Sequence, residues 1–152
     1  MSRATLSRLE NAEVSATANV LGKLCAAYGL TMSRLMHMVE DDFVPLVRRS
    51  AQPVWVDASV GFRRRSVSPP ARTLAGEALE CELEPGTRIT YDRPAKPGLE
   101  HHLIMIEGQL ELSVDGQIYD LGPGDCLRYQ LFGESVFVTS EECGARYFLF
   151  MV

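Results

Sequence analysis

The stretch His101-His102-Leu103-Ile104-Met105-Ile106-Glu107-Gly108-Gln109-Leu110-Glu111-Leu112-Ser113-Val114-Asp115-Gly116 decides the fold. Residues 101–106 and 109–114 read as strands, and Asp115-Gly116 as the hairpin turn that leads into a third strand over 117–121. Gly108, Gly116 and Gly124 fall where tight turns call for positive φ. Alternation places His101, Leu103 and Met105 on one face. Working outward, Gly122-Pro123-Gly124-Asp125 is a further turn, followed by strands over 126–131, 135–139 and 146–152, with Leu127 and Tyr129 on the interior face. Working backward, strands are expected over 88–91 and 77–83, joined by the turn Pro85-Gly86. Two more, over 54–58 and 62–67, flank a Val-Gly turn. Many short strands separated by Gly and Pro indicate a closed or sandwiched antiparallel sheet.

Upstream of residue 45 the period changes from two to three and four. Residues 2–9 form one short helical stretch, with Leu6 and Leu9 on one side. Residues 15–28 place Ala18, Leu21, Leu24, Cys25 and Tyr28 on an amphipathic stripe, and Gly29 supplies a stop. Thr31 is an N-cap for a third helix carrying Met32, Leu35, Met36 and Val39. The expected class is therefore α+β: a small helical head over residues 1–44, a linker over 45–53 and an antiparallel barrel or jelly roll over 54–152.

At 152 residues with 46% hydrophobic and 23% charged content, the chain is globular. No apolar run approaches the ~20 residues that span a bilayer. Residues 1–10 lack the apolar core of a signal peptide, so a cytoplasmic protein without membrane contact is expected. Cys25, Cys81, Cys126 and Cys143 are too far apart for a CxxC motif and read as reduced, mostly packed thiols. The net charge of -5 is unevenly spread. Residues 1–50 carry six basic and five acidic groups, with no acid among the first nine residues. Local basic charge of this kind suits phosphate contact even on an acidic protein.

Ser2-Arg3-Ala4-Thr5-Leu6-Ser7-Arg8-Leu9-Glu10-Asn11 resembles the recognition helix of the XRE (Cro/CI-like) helix-turn-helix regulators. The resemblance continues through Leu21-Gly22-Lys23-Leu24 and Ser33-Arg34-Leu35, about forty residues in all. It implies double-stranded DNA as a partner, with Ser2, Arg3, Thr5, Ser7 and Arg8 available to base edges or phosphates. It also implies a homodimer on a two-fold site. The family's motif places a helix and half a turn before this segment, and here the chain starts inside the motif. The N-terminal half of the reader is therefore expected to be missing.

The quoted stretch resembles the first cupin motif and the hairpin after it, and Tyr119-Asp120-Leu121-Gly122-Pro123-Gly124-Asp125 resembles the turn that opens the second motif. Metal-binding cupins supply two histidines and a glutamate from the first motif and one histidine from the second. Counted from Gly108, the glutamate position falls on His101 and the histidine pair falls within residues 94–97, where there is none. Counted from Asp125, the last histidine falls near Glu134 or Ser135. No metal, cofactor or catalytic residue is expected. His101 and His102 are adjacent on a strand and point apart, so they do not chelate one ion together. His37 reads as a surface residue. A barrel without metal keeps a concave interior, and Arg88, Tyr91, His101, Met105 and Tyr129 are the candidates to contact a small-molecule effector. In Arg63-Arg64-Arg65 the middle side chain points away from its neighbours, which suits a solvated or interface strand.

The expected function is a DNA-binding transcriptional regulator, not an enzyme, whose cupin domain senses a small molecule. The alternatives are a head-defective ligand-binding module and, less favoured, a small metal-dependent cupin enzyme.

Overall fold

The computed structural model describes residues 7, 11, 18–30, 44–71, 73–94 and 96–152. Ten strands lie among them: β1 (Val54–Asp57), β2 (Phe62–Ser68), β3 (Glu77–Leu83), β4 (Arg88–Tyr91) and β5 (Leu99–Gly108), then β6 (Leu110–Val114), β7 (Gln117–Leu121), β8 (Cys126–Leu131), β9 (Ser135–Val138) and β10 (Ala145–Met151). They form a six-stranded sheet in the order β1-β2-β3-β10-β5-β8 and a four-stranded sheet in the order β4-β9-β6-β7. Each pairing is antiparallel. Alternation decides what each strand buries. On β5, Leu99, His101, Leu103 and Met105 are buried while their neighbours reach the other face. Leu110, Leu112 and Val114 of β6 and Phe137 of β9 join them in one core from the opposite sheet.

The expected α+β class does not stand. Among the described residues there is a single α-helix, α1 (Ala18–Tyr28), besides a 3₁₀ turn over Arg49–Ala51. A separate helical layer needs a core of its own. Of the α1 side chains described, from Lys23 onward, Cys25 alone is buried, and it lines a cavity between the sheets. The molecule described is an antiparallel β-sandwich with one attached helix. The expected helix over residues 31–39 lies outside the described residues. So does that over 2–9, apart from Ser7, an exposed residue in helical conformation whose carbonyl accepts from the Asn11 N–H at 3.0 Å. No helix among the described residues is long and apolar enough to cross a membrane.

Two features hold the six-stranded sheet in register. Its outer face carries a ladder of charge: Arg63 meets Glu82 at 2.8 Å, Arg65 meets Glu80 at 3.1 Å, and Arg146 bridges Glu80 at 3.5 Å and Glu107 at 3.2 Å. Arg65 and Glu80 are both buried. The sheet's end is tight. Gly108 sits at φ +81° with no room for a Cβ against the Gly144 carbonyl oxygen, and that carbonyl accepts from the Gln109 N–H at 3.1 Å.

Candidate functional site: the cavity between the sheets

The inner faces of both sheets leave a cavity of about 180 Å³. β2 and β3 supply one wall because Phe62, Arg64 and Cys81 alternate inward, with Arg64 paired to Cys81 across the strands. β1 adds Trp55, whose ring lies 5.5 Å from the Arg64 guanidinium carbon and edge-on to Phe62 at 5.9 Å. β4 contributes Ile89 and Tyr91, and Tyr91 packs edge-on to Phe137 at 6.0 Å. Phe137 in turn stacks on Tyr147 at 6.2 Å. Solvent reaches the lining at Tyr91 and Arg93, which are exposed and mark the opening. Cys25 of α1 closes another part of the wall.

His101 is the polar group at depth. It is 6% exposed, and its Nδ1 lies 3.1 Å from the Tyr129 hydroxyl. Its Nε2 is buried with no hydrogen-bond partner. Burial, helped by the neighbouring His102, pulls the imidazole pKa down to about 4, so the ring is neutral at physiological pH. Burial also pushes the Tyr129 pKa up, which keeps its hydroxyl protonated. The Cys81 thiol is pushed up to about 12 by burial, against the opposing pull of Arg64. Arg64 acts in the same sense on Cys25, whose pKa burial raises. The site thus combines apolar walls, a positive charge and a neutral imidazole with one unused nitrogen.

The expected contact residues are distributed unequally. His101 and Tyr91 line the cavity. Tyr129 stands behind His101 and fixes its ring, while Met105 is packed in the core at 1% exposure. Arg88 is exposed and is not part of the lining. It is three residues from Tyr91 on one strand, so the two side chains leave opposite faces. Of the expected DNA-contacting residues, Ser2, Arg3, Thr5 and Arg8 lie outside the described residues, and Ser7 is exposed. Sequence reasoning missed Trp55, Arg64, Arg93 and Cys25. For Arg64 a signal was present, since alternation from Phe62 puts it on the buried face. Nothing in the sequence brings Cys25 to this wall.

Among the described residues, no three His, Cys, Asp or Glu side chains converge as a metal-ligand set. A second depression of about 410 Å³ lies at the other end of the four-stranded sheet. It is lined by exposed Glu111 and Asp120 and holds no buried polar atom without a partner, so the inter-sheet cavity is the candidate site.

No protein-family model matches the chain, and no curated protein does. Solved structures do. An HTH_3 family transcriptional regulator from Vibrio cholerae matches 99% of this chain over 80% of its own, with TM-score 0.75 and 17% identity. The Cupin_2 domain of an XRE family transcriptional regulator from Enterobacter cloacae matches 60% of this chain over 95% of its own, with TM-score 0.56 and 20% identity. The polyketide cyclase RemF from Streptomyces resistomycificus matches 72% of this chain over 79% of its own, with TM-score 0.57 and 18% identity. Likeness at these identities is one of fold, and the fold is that of a cupin.

Proposed function

We propose that this chain is the small-molecule-sensing part of a cytoplasmic, DNA-binding transcriptional regulator, and that its cavity binds a ligand without transforming it. The observation that carries the reading is the placement of Cys25. A residue of the helix that precedes the barrel forms part of the barrel's cavity wall, so an occupant touches both. A ligand that contacts Cys25 binds more tightly when α1 is docked, and by reciprocity favours the docked state by the same factor. That linkage carries ligand occupancy toward the N-terminal residues, where Ser2, Arg3, Thr5, Ser7 and Arg8 are proposed to meet DNA. The cupin fold shared with XRE and HTH_3 regulators supports the assignment. Two copies are proposed to pair across a two-fold operator.

In-vitro selection from randomised duplexes tests the DNA part. Enrichment of a two-fold-symmetric sequence, bound with an affinity that falls steeply as salt rises, is the expected result. Failure to enrich any sequence at low salt would remove DNA recognition by this chain and leave the second reading, a cupin module that binds its ligand only.

A further inference from the structure

The reading above leaves the chemical class of the ligand open, and the cavity itself narrows it. Among the described residues, the lining contains two guanidinium groups, Arg64 and Arg93, and no carboxylate. Among the described lining residues, the ionised groups are therefore positive, because the imidazole of His101 stays neutral there. Arg93 forms no ion pair among the described residues, and it stands at the opening. Arg64 is anchored over Trp55, with its charge felt at both Cys25 and Cys81. Guanidinium groups match the geometry of carboxylates, and partial exclusion of water strengthens the match. The rest of the described wall is mainly apolar and aromatic, with the polar groups of His101, Ser135, Tyr91 and Tyr147 among it. An apolar cavity of about 150 Å³ accepts a benzene-sized body, and this one measures about 180 Å³. The buried Nε2 of His101, a residue of the lining, has no hydrogen-bond partner in the protein. A buried polar atom in that position is satisfied when an occupant brings the complementary group.

We propose that the cavity binds a small monocarboxylic acid with an apolar body about the size of a benzene ring. Its carboxylate lies toward Arg64 and Arg93, and Nε2 of His101 hydrogen-bonds a polar group on the body. This rests on the sensing function proposed above, but it stands or falls on ligand selectivity alone. Amines are disfavoured because both fixed charges repel them.

Trp55 is the single tryptophan of the chain and lines the cavity, so its fluorescence reports occupancy. The full chain is titrated near neutral pH with benzoate, phenylacetate and hexanoate, and with the amides of the same three acids. At least one acid is expected to give a saturable change, with its amide weaker by an order of magnitude or more. Arg64→Gln and Arg93→Gln, each checked for native circular dichroism and read against its own baseline, should weaken acid binding by a larger factor than amide binding. His101→Gln should weaken a hydroxylated acid such as 4-hydroxybenzoate more than benzoate. Equal affinity for acid and amide in the unmodified chain overturns the carboxylate assignment while leaving a small-molecule site in place. Silence toward every acid up to millimolar concentration also overturns it, and DNA selection then judges the wider function independently.

Discussion

Acidification gives a direct test of the buried imidazole. His101 has a pKa of about 4 in the folded protein, against 6.5 for the free side chain. Above pH 6.5 the ring is neutral whether the chain is folded or not, and it adds no pH dependence. As pH falls below 6.5 the unfolded chain takes up a proton that the folded chain refuses, so stability drops until the folded imidazole titrates near pH 4. The cause is first burial and then the neighbouring His102. The nearby Tyr129 and Cys81 stay neutral throughout this window, since their ordinary pKa values of 10.0 and 9.0 already lie above it and burial raises both. A shift of about 2.5 units corresponds to roughly 3 kcal/mol in total, of which roughly 2 kcal/mol falls between pH 7 and pH 4.5. Urea unfolding of the unmodified chain and of His101→Gln at those two pH values isolates the contribution, since all other titrations are common to both. The variant should lose about 2 kcal/mol less than the unmodified chain on acidification. The NMR titration of the three histidine ring protons gives the pKa directly. A His101 that titrates near 6.5, or a difference between the two proteins below about 0.5 kcal/mol, would show that the ring is hydrated and that the orphan nitrogen meets water.

Gly108→Ala should destabilise the fold by more than about 2 kcal/mol in chemical denaturation, since positive φ and the Gly144 carbonyl both oppose a Cβ there. Glu80→Leu leaves Arg65 buried without its partner and should cost about 3–5 kcal/mol, whereas Arg65→Met with Glu80→Leu should cost much less. A double-mutant cycle in urea measures the difference, and additive costs would contradict a desolvated pair. Elemental analysis of the purified chain should find far less than one iron, manganese or zinc per molecule. Stoichiometric metal that disappears in His101→Ala would overturn the metal-free reading of the cavity. Light scattering should give twice the 16.9 kDa chain mass, and a monomer at micromolar concentration would exclude the paired heads.

The β-region was legible because its signals are local. Gly108 and Asp115-Gly116 mark turns, and alternation along Leu110, Leu112 and Val114 or His101, Leu103 and Met105 gives the buried face directly. The fold class failed for the opposite reason. Helical periodicity in residues 15–28 says that one face is apolar, not what that face packs against, and Cys25 of that face lines the cavity between the sheets. The site was half legible. His101 followed from strand parity, as Arg64 would have from the same rule applied to Phe62. Arg88 was paired with Tyr91 across an odd spacing that strand geometry forbids for a shared face. Trp55, Arg93 and Cys25 come together only through long-range packing, which no local pattern encodes.

The charge ladder on the outer sheet face has a consequence for how the chain avoids misfolding. In β2, three consecutive arginines occupy two faces: Arg64 inward, Arg63 and Arg65 outward against Glu82 and Glu80. Sliding β2 by one residue along β3 would exchange one inward guanidinium for two and turn Phe62 out of the core. The mispaired sheet would then carry Arg63 and Arg65 inside with both glutamates left behind, a penalty several times that of losing any single contact. The arginine triplet thus acts as a parity check on strand alignment, rejecting the near-native competitor that a purely apolar strand of the same length would tolerate.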